Sequence, residues 1–187
     1  MLNILTPIPL SFFKNYSNNF NFIKIDMGSV GVQQGKNFIS LHKEEVYKTL
    51  FLGLCGVIPA NAPLYSAVLP SATAINLDNF RANSSLELGS LFKDLKVFSG
   101  KHYSFARVED ESAPLLQRLE QANVLSVDLE FSFLAEIAPN LKCVLFSTDN
   151  PLHGPVFTKE SMKRLKTANI INSVLQILSR TENIFKK

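Results

Sequence analysis

Two acids close apolar runs in the second half of this chain: Glu130 ends Ser126-Val-Asp-Leu-Glu130, and Asp149 stands in Phe146-Ser-Thr-Asp-Asn150. Both runs are short and apolar enough to be strands, so both acids fall at strand ends. In an open α/β sheet, ligands collect beyond the carboxyl ends of the strands, which makes acids there candidates for chemistry rather than for solubility. What a carboxyl offers at such a place is a transferable proton or a fixed negative charge. Each acid also has a plainer use. Asp149 precedes Asn150 and Pro151, a common turn-capping sequence. Glu130 stands at the start of a helix-length stretch, where a glutamate complements the helix dipole.

Other residues qualify on weaker grounds. In Phe51-Leu-Gly-Leu-Cys-Gly-Val57, Gly53 and Gly56 allow a turn and a close backbone approach to a ligand, although paired glycines also serve packing. Tyr103 and Phe105 are aromatic surfaces for stacking or for filling a core. Asp128 reads as a turn or cap acceptor, and Asp110 with Glu111, ahead of Ser112, as a capping run for the next helix. His42, His102 and His153 show no metal-ligand spacing, so no metal is expected.

The elements that must position these residues follow from hydrophobic periodicity. Strands are expected over 3–6, 20–26, 49–54, 64–69, 95–99, 124–128 and 141–146, and helices over 31–43, 112–121, 129–138 and about 159–180. In the last helix Met162, Leu165, Ala168, Val174, Leu175 and Leu178 form one apolar stripe opposite a lysine-rich face. Residues 70–90, rich in Asn and Ser with no steady period, read as a long loop. The alternation of strand and helix predicts an α/β fold, a three-layer sandwich around a central mixed, largely parallel sheet. No linker or internal repeat is seen, and residues 1–187 are read as a single domain.

Composition narrows the partners. The chain has 187 residues, 46% apolar and 19% charged, which suits a globular protein with a real core. Net charge is only +3, and the basic residues scatter apart from Lys159, Lys163, Arg164, Lys166 and the terminal Lys186 and Lys187, so no nucleic-acid partner is expected. Cys55 and Cys143 lie inside apolar runs and read as buried reduced thiols, in keeping with a cytoplasmic protein. Residues 1–13 are apolar but lack a basic leader region and contain Pro7 and Pro9, so they are expected to form a strand and loop rather than a membrane span.

Taken in chain order, the Gly-Leu-Cys-Gly of 53–56, the segment Val97-Phe-Ser-Gly-Lys-His-Tyr103, the Asp-Leu-Glu of 128–130 and the Ser-Thr-Asp-Asn of 147–150 resemble the purine nucleoside phosphorylase and methylthioadenosine/adenosylhomocysteine nucleosidase superfamily. That family carries a Gly-Ser-Cys-Gly or Gly-Ser-Ala-Gly turn, a Ser-Gly-Asp-x-Phe segment, a Met-Glu at a helix start and a Ser-Asp catalytic loop. The resemblance spans most of the chain and marks a short, divergent member. It implies that Asp149 protonates N7 of a departing purine and that Glu130, beside Leu129, accepts hydrogen bonds from ribose hydroxyls. It further implies that Tyr103 and Ser147 contact the base and that Gly53 and Gly56 form the turn near the ribose or phosphate. No cofactor is implied. The partner is a small-molecule nucleoside, and a homo-oligomer is expected, with Phe12, Phe13 and Phe80 as exposed contact residues.

The departures from the family pattern are specific. Thr6-Pro-Ile-Pro-Leu10 carries no arginine for phosphate, Leu54 replaces the serine of the turn, and Lys101 replaces the family aspartate. An apolar side chain cannot satisfy phosphate oxygens, so hydrolysis is expected rather than phosphorolysis. The N-terminal glutamate that orients water in hydrolytic members is also missing, since the first acid here is Asp26. The reading is therefore cleavage of a purine N-glycosidic bond by water. The alternative is a catalytically degenerate member that keeps the fold to bind a nucleoside or a protein.

Overall fold

A computed structural model describes residues 1–181. Lys186 and Lys187 lie outside the described residues. Eight strands form one mixed sheet: β1 (Leu2–Thr6), β2 (Phe20–Lys24), β3 (Thr49–Val57), β4 (Ala67–Ala74), β5 (Arg81–Ala82), β6 (Val97–Ser104), β7 (Val124–Asp128) and β8 (Lys142–Asp149). The order is β2-β1-β3-β7-β6-β4-β5, with β8 pairing both β3 and β4. The pairs β1–β2, β1–β3, β3–β8, β4–β6 and β6–β7 run parallel, and β3–β7, β4–β5 and β4–β8 antiparallel. Because β8 bridges β3 to β4 while β7 joins β3 to β6, five strands close on themselves and the sheet curls into a ring.

Helices α1 (Gly28–Leu41), α2 (Ala113–Gln121), α3 (Phe131–Ile137), α4 (Lys159–Thr167) and α5 (Ile170–Ser179) complete the fold. Alternate strand residues face opposite sides, and here both sides are dry. Ile4, Leu50, Leu52, Val144 and Phe146 pack with Leu165, Val174 and Leu175 of α4 and α5, whereas Leu5, Phe51, Cys143 and Leu145 pack with Ile39 of α1 and Phe131 and Leu134 of α3. A sheet buried on both faces reads in sequence as continuous apolar runs. The α/β fold with a central mixed, mostly parallel sheet is thus as expected. A third cluster, with Leu116 and Leu119 of α2 against Val124 and Val127 of β7, supports the edge where the acids emerge.

Four expectations need correction. The long final helix is two helices, because Asn169 adopts a left-handed conformation with φ of 57° between α4 and α5. Asn tolerates that conformation through its short polar side chain; Met162, Leu165, Val174, Leu175 and Leu178 share one core cluster, whereas Ala168, expected in the same stripe, is exposed. Residues 70–90 are not a long loop: β4 runs through Pro70, where the register with β6 slips, and β5 and a short helix capped by Asn83 follow. A bulge is where a strand accepts proline. Third, β3 continues to Val57, so Gly53 and Gly56 lie inside the strand rather than in a turn after it. Finally, Phe13 is buried and stacks on Phe22 at 4.6 Å, Phe12 is half-buried, and half-buried Phe80 lies beneath the Lys101 ammonium, so these phenylalanines are not an exposed contact surface.

Candidate active site

The carboxyl ends of β7 and β8 and the far end of β3 open onto one cleft of about 360 Å³, within the roughly 300–1,000 Å³ range of small-molecule sites. Leu54, Cys55 and Gly56 come from β3, Val127 and Asp128 from β7, Leu129 and Glu130 from the turn into α3, and Thr148 and Asp149 from β8. Phe105, Val108, Glu111 and the segment with Pro151, Val156 and Phe157 close the sides. Four carboxylates line it and, among the described residues, no lysine, arginine or histidine does.

Asp128 organises the β7 end. Its carboxylate accepts the backbone N–H of Glu130 at 3.2 Å and of Phe131 at 3.0 Å, so it caps α3. The same carboxylate meets His102 Nε2 at 3.0 Å and accepts the Ser104 hydroxyl, while His102 Nδ1 contacts Ser126 Oγ at 2.9 Å. These groups are buried and mutually satisfied, which fixes the turn that follows. That turn aims Glu130 inward. Glu130 is only 2% exposed, and its Oε1 accepts the N–H of Gly28 at the start of α1. Burial first, and then the charge of Asp128, push its carboxyl up to about 8, against the lowering effect of the Gly28 and Leu129 N–H groups and of Lys24. Helix capping falls to Asp128, and the Glu130 side chain is left on the cleft wall.

The β8 end is built differently. Asn150 closes the following turn, with its Oδ1 accepting Leu152 N–H at 3.2 Å and His153 N–H at 2.8 Å and its amide donating to Pro59 O at 3.0 Å. The capping task read for Asp149 therefore belongs to its neighbour. Asp149 accepts the Thr148 hydroxyl at 2.8 Å and the Phe157 N–H, and partial burial raises its pKa above the ordinary aspartate value despite both bonds. A carboxyl so placed holds its proton more firmly than an aspartate in water.

The other expected site residues divide. Leu129 and Gly56 line the cleft. At Gly56, an added Cβ would meet Pro151 Cδ at 2.9 Å, so the missing side chain admits the proline wall. Gly53 lies outside the lining and makes room for the Phe51 ring, which a Cβ would meet at 2.4 Å. Ser147 is buried away from the cleft, donating to Pro63 O at 2.9 Å and accepting Ser66 N–H at 3.0 Å. Tyr103 also lies outside the lining, its hydroxyl donating to Ile75 O at 3.0 Å. Two aromatic side chains line the cleft: Phe105, buried and edge-on to Tyr103 at 5.2 Å between ring centres, and the exposed Phe157.

Glu111 was hidden in the sequence by its company. Its neighbour Asp110 accepts the Arg107 N–H at 3.1 Å and so closes the short turn Val108–Asp110, while Ser112 makes no side-chain cap bond to α2; the run expected to cap α2 does not, and the Glu111 side chain lines the cleft. Burial and the nearby charge of Asp149 push it up to about 6.

No family model and no curated protein matches the sequence. Solved structures do match the fold. The 5'-methylthioadenosine/S-adenosyl homocysteine nucleosidase of Campylobacter jejuni superposes with a TM-score of 0.70 at 15% identity, covering 96% of this chain and 98% of that one. The AMP nucleosidase of Bacteroides thetaiotaomicron gives 0.61 at 15% identity over 92% and 88%. The uridine phosphorylase of Schistosoma mansoni, in complex with thymine, gives 0.68 at 10% identity over 96% and 87%. The chain has the fold of the nucleoside phosphorylase and methylthioadenosine/adenosylhomocysteine nucleosidase superfamily, as the order of its motifs suggests.

Proposed function

We propose that this protein cleaves the N-glycosidic bond of a purine nucleoside with water, Asp149 protonating the leaving base and Glu130 holding the ribose. The observation that carries the reading is the convergence of two carboxyls, Glu130 from β7–α3 and Asp149 from β8, both raised above their ordinary pKa by burial, on one cleft whose lining holds no cation among the described residues. A glycosidic C–N bond breaks with its electron pair going to the base, leaving a positively charged sugar. The Asp149 proton passes to N7, so the base departs neutral. Water then adds to the sugar carbon, and the proton it loses restores the acid. Glu130 oxygens accept from ribose hydroxyls. A positive sugar also opposes both influences that keep Glu130 protonated in the empty cleft, so its anionic form is favoured most as the bond breaks.

The same lining argues against phosphate as the acceptor, since an anion would meet four acidic side chains and the apolar Leu54 with no basic side chain, among the described residues, to hold it. A second reading, a nucleoside-binding descendant without catalysis, is favoured by one observation. The Thr6 hydroxyl in the N-terminal segment is committed to Ile8 N–H at 3.0 Å, and that segment contributes nothing to the cleft lining. Product analysis in phosphate-free water enriched in oxygen-18 separates the readings. Hydrolysis gives free base and a labelled free sugar. Sugar phosphate formed only when phosphate is added would contradict it, and heat protection by a nucleoside without any release would indicate the binding descendant.

Assembly as a homo-oligomer and residence in the cytoplasm remain part of this proposal. No described helix is long and apolar enough to cross a membrane. Met27, Val108, Val156 and Phe157 stand 41–65% exposed around the cleft mouth and offer apolar contact area in place of the buried Phe13. Light scattering after size exclusion tests the assembly, and a monomer would contradict it.

A further inference from the structure

We propose that His102 is a positioning residue for the sugar end of the cleft, fixing through Asp128 where the Glu130 carboxyl stands. This rests on the reading of the cleft as a nucleoside site. The sequence holds two alternating pairs, His102 with Ser104 in β6 and Ser126 with Asp128 in β7. A register slip beside Lys101 sets His102 opposite Ser126 and Ser104 opposite Asp128, which brings the four side chains to one face of the sheet. Leu125 is the extra residue of that slip, and Gly100 admits it, because an added Cβ would meet Leu125 Cβ at 2.7 Å. The shared face lies under the first turn of α3. His102 is 0% exposed there, with its ring centre 6.1 Å from that of Phe131, so close packing confines the imidazole.

The donors and acceptors around the ring fix its protons. Asp128 accepts the Glu130 N–H at 3.2 Å, the Phe131 N–H at 3.0 Å and the Ser104 hydroxyl, whose oxygen in turn accepts the Ser132 N–H at 2.8 Å. His102 Nε2 stands 3.0 Å from the same carboxylate and so carries the ring proton, since a bare lone pair would face negative charge. On the other side Nδ1 is 2.9 Å from the Ser126 hydroxyl, which has no other acceptor among the described residues, so Nδ1 accepts. The bonds thus run unbroken from β6 through His102 and Asp128 to the N–H of Glu130, and the Glu130 carboxyl is tied at its far end to the Gly28 N–H. Ser104 offers Asp128 a hydroxyl that can rotate, whereas His102 offers a rigid donor of fixed direction. A binding carboxyl must be held to within about 0.5 Å by neighbours that are themselves locked. His102 supplies that lock and, lying outside the cleft lining, does so without touching the substrate.

Two substitutions separate the bond to Asp128 from the bond to Ser126. Glutamine places its amide nitrogen near the Nε2 position and still donates to Asp128, whereas asparagine stops near Nδ1 and does not reach. Nitrogen-15 spectra of the full wild-type chain are expected to show the His102 proton on Nε2, and a ring with Nε2 bare overturns the proposal. The Gly28 amide proton reports the Glu130 carboxyl without any substrate. It is expected to move upfield in His102→Asn and to return toward the wild-type position in His102→Gln; a Gly28 resonance unmoved in folded His102→Asn also overturns the proposal. Where His102→Asn fails to fold, the wild-type ring proton decides. Kinetics with adenosine, inosine and methylthioadenosine give a readout that lost stability alone would not move. Per folded molecule, kcat is expected to fall about tenfold or more in His102→Asn, by more than KM rises, with partial recovery in His102→Gln. An unchanged kcat in His102→Asn sinks the positioning role alone. Absence of release from every probe by the wild type sinks the nucleosidase reading, and the Nε2 proton and the Gly28 resonance still decide the positioning.

Discussion

The two ends of the cleft use the same side-chain chemistry in opposite ways. At the β7 end, Asp128 and Glu130 are 8% and 2% exposed, and backbone N–H groups, His102 and Ser104 take up their oxygens. At the β8 end Asp149 has two donors and Glu111 none, and both remain partly open to water. Carboxyls locked by backbone donors are suited to holding a ligand in one orientation, whereas weakly bonded carboxyls near water can give up and recover a proton. Under the proposed function the difference assigns the roles: positioning of the sugar at the rigid end, proton transfer at the loose one.

The largest effect expected from breaking this contrast is at Asp128. Asp128→Ala removes the acceptor of the α3 N–H groups and of Ser104 and the carboxylate beside His102, for a loss of about 2–4 kcal/mol, read from urea unfolding. Glu130→Gln is next. Its amide oxygen still accepts from Gly28, so the fold survives, while kcat/KM is expected to fall about 10- to 100-fold because the charge that grows in value as the bond breaks is gone. The same variant tests a linkage. The folded pKa of about 8 lies above the ordinary 4.5, so the native state holds more protons between those values and stability falls as pH rises through that window. The raised Glu111 and Asp149 act in the same direction. Thermal midpoints measured across that range are expected to decline in the wild type and to flatten in Glu130→Gln.

Two smaller changes sharpen the comparison at the aromatic wall. Phe105→Leu removes the stacking face and is expected to raise KM about three- to tenfold. Tyr103→Phe loses one hydrogen bond to Ile75, for about 1 kcal/mol of stability, with KM unchanged. An equal change in KM for both would show that the base lies elsewhere.

Much of this arrangement was legible in the sequence, for reasons that particular residues make plain. The runs around Leu50–Leu54 and Cys143–Phe146 announced a sheet covered on both faces, and the strand ends at Glu130 and Asp149 announced two residues that line one cleft. What escaped was decided by three-dimensional context. Tyr103 is held in the ladder between β4 and β7, while Phe105 lies just past the last β6 residue, with its N–H on Asp128 O at 2.9 Å. Which of the two reaches the cleft depends on where pairing stops, a matter of register slips at Pro70 and Lys101 that no local pattern reveals. Ser147 stands two residues before Asp149 and outside the cleft, satisfied by the chain ahead of β4. Glu111 carried no signal of its own, because a run of acids before a serine is the ordinary start of a helix.

The most direct test of the central claim is the rate of free-base release from adenosine, inosine and methylthioadenosine in phosphate-free buffer, wild type beside Asp149→Asn. The account predicts release by the wild type from at least one of them and a loss of about 100-fold or more in the variant, with the variant still folded. Release that survives Asp149→Asn, or none from the wild type, would contradict it.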